Sequence, residues 1–220
     1  IFQEQLTRFV AGDAHLDTSA LLQDTLELFD HNRASFSLLD MLHNMRDLDD
    51  STYVHSINVA VISRLIGMWS DLDEANLDVL TLCGLLHDVG KVQIPDEILE
   101  KPDRLTPEEY EIMKTHVENS TKMIRYLPHM DYVIPAVLGH HERYDGTGYP
   151  RGLAGEDIPY MARILTIADC FDAMTARRPY KKPLSVSYAV SELKKNSGTQ
   201  FDPELVNVFI RLINEGKITV

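Results

Sequence analysis

Apolar residues recur along this chain at helical intervals and almost nowhere at every second position. In "ALLQDTLELFDHNRASFSLLDMLHNM" (20–45), Leu22, Leu26 and Phe29, then Leu38, Leu42 and Met45, share helical spacing. "SINVAVISRLIGMW" (56–69) predicts a second helix, and "NLDVLTLCGLLHDVG" (76–90) a third that stops at Gly90. "LTPEEY" (105–110) carries the clearest start signal. Thr106 is the N-cap, Pro107 the first helical residue and Glu109 the capping-box partner, with Leu105 and Tyr110 as a hydrophobic staple. "FDPEL" (201–205) is a second start, capped by Asp202 with Pro203 behind it, and "YMARILTIADCFDAMTA" (160–176) predicts an amphipathic helix. The expected fold class is therefore all-α. The acidic cluster "RDLDDS" (46–51) marks a soft boundary between an N-terminal helical extension (1–48) and the main domain (49–220). The extension carries no motif; it suits dimer formation, signal transmission or plain packing on the core.

Composition narrows the class. With 220 residues, 44% hydrophobic and 25% charged, the chain can bury a sizeable core. Its net charge of −13 argues against a nucleic-acid polymer or a membrane surface as partner. An anionic ligand would need metal ions or a local basic patch. Cys83 and Cys170 both lie in apolar helical segments and read as free thiols of a reducing compartment. No apolar run reaches the roughly 18 residues of a membrane span, since "NVAVISRLIGMW" is interrupted by Ser63 and Arg64. A cytoplasmic domain is expected, alone or as the cytoplasmic portion of a larger signalling protein, since the chain starts at Ile1.

The chemistry-bearing residues are histidines and aspartates. Five of the nine histidines stand out by their neighbours: His55, His87 beside Asp88, His116, and the pair His140-His141. Asp169 sits among apolar residues, where a carboxylate needs a partner. Taken singly, each has an ordinary explanation. Taken together, imidazoles and carboxylates on separate helices are what a cage of divalent metals requires. The chain has no CxxC pair, which argues against structural zinc. Successive helix residues point about 100° apart, so His87 and Asp88, or His140 and His141, can share a site only where a helix is ending. Gly90 is placed to end the first, and the turn "YDGTGYP" (144–150) the second. Lys91, next to this end, is placed to reach a phosphate oxygen or a leaving group.

"HDVGK" (87–91), "HHERYDGTGYP" (140–150) and "IADCFDAMTARRPYK" (167–181) together resemble the HD-GYP domain, a branch of the HD metal-dependent phosphohydrolases, over roughly residues 50 to 210. The resemblance implies an HD-domain-like helical bundle that hydrolyses the bacterial second messenger cyclic di-GMP at a di- or trinuclear metal centre. It implies that His55, His87, Asp88 and Asp169 hold one metal, and that His116, His140 and His141 hold a second, with Asp88 bridging. It puts Lys91 near the substrate phosphate, Arg178 and Lys181 on the substrate phosphates, and Tyr149, a further substrate-binding candidate, on a loop flanking the site, linked to docking of GGDEF-type cyclases. Relatives with a third metal carry a glutamate four residues before the first histidine; that position is Ser51 here, and Asp49 and Asp50 are out of register. A dinuclear centre is therefore expected. Where the family has "HP" and a following glycine after its third histidine, this chain has Val117 and Ser120.

The reaction expected from this resemblance is metal-assisted phosphodiester hydrolysis giving linear pGpG, with Asp88 and Lys91 as the catalytic pair. Mixed His/Asp ligation suits iron or manganese first, with nickel, cobalt or zinc as alternatives. Arg143 is placed to add positive charge. Two other readings stay open: a catalytically silent cyclic di-GMP receptor or protein-interaction module, and a hydrolase of another cyclic dinucleotide such as cyclic GMP-AMP. A homodimer through the N-terminal helices is a further expected partner.

Overall fold

Side-chain caps at Asp17, Asp73, Thr106, Ser185 and Asp202 fix where five of the described helices begin. The computed structural model describes residues 2–12, 16–32, 51–176 and 182–215. The elements are α1 (Phe2–Val10), α2 (Thr18–Asn32), α3 (Ser51–Met68), α4 (Glu74–Leu86), a 3-10 turn (Val89–Gln93), α5 (Asp96–Leu99), α6 (Pro107–Lys114), α7 (His116–Ile124), α8 (Val133–Gly139), α9 (Tyr160–Thr175), α10 (Val186–Lys195) and α11 (Pro203–Asn214). Thr106 accepts from the Glu109 backbone N–H while the Glu109 carboxylate accepts from that of Thr106, completing the expected capping box. Asp202 caps α11 and also takes Arg163 of α9 at 2.5 Å, tying two helices together. Among the described residues the only β pairing is two isolated bridges, Asp145 with Ala154 and Ser197 with Phe201. The fold is all-α.

The core is one continuous apolar cluster. It joins Val59, Ile62 and Ile66 of α3, Leu80 and Leu86 of α4, Ile164, Leu165 and Phe171 of α9, and Leu205 and Phe209 of α11. Leu6, Phe9 and Leu21 of the first two helices join the same cluster. Helix α9 packs against α3, α4, α8, α10 and α11. It was expected to be amphipathic, but Ala162, Ile164, Leu165, Thr166, Ile167, Ala168, Phe171, Asp172 and Thr175 are all buried. A helix sheathed by five neighbours has no wide polar face. The core face of α2 is also rotated from expectation, to Leu21 and Thr25, with Leu22 and Leu26 half-buried. The expected positions Leu38, Leu42 and Met45, and most of the 46–51 boundary, lie outside the described residues. Cys83 is buried and Cys170 partly so, and both are free thiols. No described helix is long and apolar enough to cross a membrane.

Two helix ends depart from expectation. Helix α4 stops at Leu86, with His87 as its C-cap, so Gly90 does not end it. Gly90 lies in the 3-10 turn, pressed against α7. A Cβ there would stand 2.2 Å from the Ser120 N and 2.4 Å from the His116 O. Helix α8 likewise stops at Gly139, before the glycine-rich turn rather than at it. Gly90 is thus retained for close backbone approach. Gly90→Ala is expected to lower unfolding stability by about 1–3 kcal/mol or more, through overpacking that no rotamer change relieves. Denaturant unfolding measures it, and an unchanged midpoint would contradict the approach described.

Candidate metal centre

Three of the buried histidines, His87, His116 and His140, sit where helices end or meet. His87 and His140 are the C-caps of α4 and α8, and His116 opens α7 directly after α6. The last carbonyls of a helix have no partner within it. Each ring uses one of them: His87 Nδ1 lies 2.8 Å from the Gly84 O, His116 Nδ1 2.7 Å from the Met113 O, and His140 Nδ1 2.6 Å from the Val137 O. A carbonyl only accepts, so Nδ1 is the protonated nitrogen, and the neutral ring turns a bare Nε2 lone pair the other way. All three Nε2 atoms are buried without a hydrogen-bond partner, as is Asp88 Oδ1.

These lone pairs face Asp88. Its Oδ2 lies 3.2 Å from His87 Nε2 and 3.8 Å from His55 Nε2. Its Oδ1 lies 3.3 Å from His116 Nε2 and 3.9 Å from His140 Nε2. One carboxylate thus presents one oxygen to each of two imidazole groups. Asp169 Oδ1 approaches His55 Nε2 at 3.2 Å on the first side. Donor atoms within 4.8 Å of one another form three sets: His55, His87 and Asp169; His116, His140 and His141; and His87, Asp88 and His140. All seven sequence-predicted candidate ligands are brought to one place. Lys91 is there too, its Nζ 2.5 Å from Asp88 Oδ2 and its side chain 32% exposed.

Electrostatics favours the same use at His116, His140 and His141. Burial, with repulsion from His141 and His87, holds His140 well below the ordinary imidazole value. Burial brings His141 down to about 4 and lowers His116. All three are neutral at pH 7, the form that can ligate. Burial opposes ionisation of Asp88, yet the adjoining His87 imidazole and the Lys91 ammonium hold it well below the usual carboxylate range. Burial pulls His55 down, but its hydrogen bonds to Asp169 and Asp172 outweigh it and raise the ring to about 9. Neutral lone pairs aimed at carboxylate oxygens repel unless a cation stands between them. Nitrogen and oxygen donors of this kind fit a divalent metal.

Three supporting residues were not assigned from the sequence. Asp172, fully buried, accepts from His55 Nδ1 at 2.7 Å and from Asn58 Nδ2 at 2.9 Å. Its signal was its spacing: three residues after Asp169, it shares that helix face. Ser120, noted only as a departure, accepts from the Gly90 N–H at 2.8 Å and donates to the His87 O at 2.9 Å. It bolts α7 to the turn that carries Asp88. Glu142, inside the quoted motif, accepts from the Arg151 and Leu153 N–H groups at 2.7 and 3.0 Å and closes the glycine-rich loop. In that loop Gly146 has a positive φ of 80°, but Gly148 does not. A Cβ on Gly148 would lie 2.3 Å from the Arg143 N, so it serves close approach instead. Arg143 spends its guanidinium on Thr147 and Asp145 of the same loop. Tyr110, the expected staple residue, is 47% exposed and meets the ring of Tyr149. Arg178 and Lys181 lie outside the described residues.

The fold and the site define an all-α protein with a His/Asp cage for divalent cations. The chain belongs to the HD domain family, whose family model matches residues 18–205. The earlier resemblance to the HD-GYP branch falls within it. A cyclic di-GMP phosphodiesterase of Thermotoga maritima is 39% identical over 202 residues, covering 89% of this chain and 54% of that protein. A 3'3'-cGAMP-specific phosphodiesterase of Vibrio cholerae is 40% identical over 163 residues, covering 72% and 31%. A solved HDG"Y"P protein from Bdellovibrio bacteriovorus shares the fold, with a TM-score of 0.74, 18% identity, and coverage of 97% of this chain and 69% of that one. The chain spans about half the length of the curated relatives it matches.

Removing the Asp172 charge is expected to weaken metal binding, because carboxylates behind ligating histidines orient the ring and raise its basicity. Asp172→Asn should lower affinity about 10- to 100-fold with the helical content unchanged. Titration of Mn(II) against a competing chelator measures it, and wild-type affinity would contradict the role.

Proposed function

We propose that this chain is a metal-dependent phosphodiesterase domain that opens cyclic di-GMP to linear pGpG. The observation that carries the reading is Asp88, whose two oxygens face two separate imidazole groups. In this reading His55, His87, Asp88 and Asp169 would hold one divalent ion, and His116, His140 and His141, with Asp88, would hold a second. Iron or manganese suits these donors first, with nickel, cobalt or zinc following. When bound, such ions activate a water and offset charge on the phosphoryl group. The chain's own residues do the rest. Four of the five imidazoles are oriented in advance by helix-end carbonyls and by Asp172, so little reorganisation accompanies the reaction. Lys91 stands at the partly exposed side of Asp88, placed to neutralise a phosphoryl oxygen and to protonate the leaving ribose 3′-oxygen. Water adds to phosphorus as the P–O3′ bond breaks; Lys91 gives a proton to O3′ and the proton lost by the water restores it, leaving a 5′-phosphate and a free 3′-hydroxyl. Arg178 and Lys181 would grip the substrate phosphates, a local positive patch on a chain whose net charge is −13.

The names of the relatives support two substrates, cyclic di-GMP and 3'3'-cGAMP. Cyclic di-GMP is favoured because the Thermotoga maritima relative aligns with 89% of this chain, against 72% for the cyclic GMP-AMP enzyme. A silent receptor fits less well, since its ligand set would not need to be complete. The domain reading remains an extension (1–48) on a catalytic domain (49–220). A GGDEF-type cyclase at the glycine-rich loop, and a second copy at faces of α1 and α2 other than those holding Leu6, Phe9 and Leu21, complete the proposed partners.

The test is anaerobic loading with Mn(II) or Fe(II), followed by chromatography of cyclic di-GMP over time. Linear pGpG should accumulate. Asp88→Ala should lose both metal and turnover, and activity surviving it would sink the assignment. Arg178→Ala should raise KM while leaving metal content alone.

A further inference from the structure

Four of the five clustered histidines have rings oriented by a hydrogen bond at Nδ1: His55 to Asp172, and His87, His116 and His140 to backbone carbonyls. His141 is the exception. Among the described residues neither of its ring nitrogens has a hydrogen-bond partner. Its ring also touches His140 and His116, with centroids 4.1 and 5.0 Å away, but those rings are fellow candidate ligands. On the remaining side the ring lies stacked on Tyr149, centroids 4.9 Å apart and planes 25° from parallel.

Tyr149 is itself held from several directions. Its backbone N–H donates to the His141 O at 3.2 Å. The bare Cα of Gly148 lets the loop press down there, since a Cβ would lie 2.6 Å from that same carbonyl oxygen. Outside it, the Tyr110 ring meets Tyr149 edge-on, with centroids 6.3 Å apart and planes at 84°. Lys114 Nζ lies 5.5 Å from the Tyr110 centroid and 5.7 Å from that of Tyr149. Tyr110 and Lys114 both belong to α6, whose start is fixed by its capping box.

We propose that Tyr149, backed by Tyr110 and Lys114, is a positioning brace that orients His141 by ring stacking, in the place of the hydrogen bond that orients each of the other four histidines. The proposal rests on the metal reading of the site but not on the identity of the substrate. Stacked and edge-on aromatic pairs contribute beyond the area they bury, and a cation over the rings adds to this. The brace gives the glycine-rich loop a role at the site's inner wall, with one face of its tyrosine already occupied by His141. It also couples α6, a helix that supplies no candidate ligand, to one side of the cage.

The test is Mn(II) titration of the full chain, with competition giving separate affinities for the two equivalents. Tyr149→Leu is expected to weaken one equivalent about tenfold and leave the other within about twofold. Tyr149→Phe, which keeps the ring, should restore it. In a His141→Ala background, Tyr149→Leu should cost nothing further, because the two act as one unit. The Mn(II) electron paramagnetic resonance spectrum gives a readout independent of turnover, and should change in Tyr149→Leu but not in Tyr149→Phe. Equal weakening of both equivalents, or failure of Tyr149→Phe to restore the first, would mean a general structural role and overturn the brace. A wild-type chain taking up a single equivalent would overturn both the brace and the two-metal reading. Normal metal behaviour without cleavage of cyclic di-GMP would remove the proposed activity and leave the brace standing.

Discussion

Much of this structure depends on one electrostatic conflict. Three neutral imidazoles point their Nε2 lone pairs at the oxygens of a single buried aspartate, and none of those nitrogens has a hydrogen-bond partner. Such an arrangement is costly in a low-dielectric interior unless positive charge resolves it. Lys91 supplies one positive charge, at Asp88 Oδ2. The other oxygen faces His116 and His140 without one. That asymmetry gives the cage its two sides.

The fold produces this conflict through helix ends rather than helix faces. A helix leaves its last carbonyls unbonded, and an imidazole at the terminus can take one with Nδ1. His87, His116 and His140 all do so. The termini must then be brought within a few ångströms, which requires backbone to approach backbone. Gly90 against α7 supplies that approach, and Ser120 locks it with two hydrogen bonds. The large apolar core spanning α3, α4, α9 and α11 holds the ends in register. A site built this way is pre-organised by the same bonds that complete its helices.

The sequence disclosed the participants more fully than the geometry. Helical periodicity showed the class, and the Thr106–Glu109 and Asp202–Pro203 starts were legible because capping is local chemistry. The seven candidate ligands were legible because their residue types are unusual in apolar helices. Gly90 serves close approach but reads in the sequence as a helix-ending residue, because a glycine looks the same in sequence whether it serves φ or close approach. Helix α9 looked amphipathic because sequence cannot count the helices that will cover it. Asp172, Ser120 and Glu142 went unassigned for a related reason. Their roles are long-range hydrogen bonds, to His55, to the Gly90 turn and to the loop at 151–153, which no local pattern encodes.

The central claim is that Asp88 lies between two cations. The most direct measurement is anomalous diffraction from crystals of the chain grown with Mn(II), with data collected near the manganese edge. The account predicts two strong peaks flanking Asp88, one within coordinating distance of His55, His87 and Asp169 and the other of His116, His140 and His141. A single peak, or peaks that leave either group of residues unligated, would contradict it.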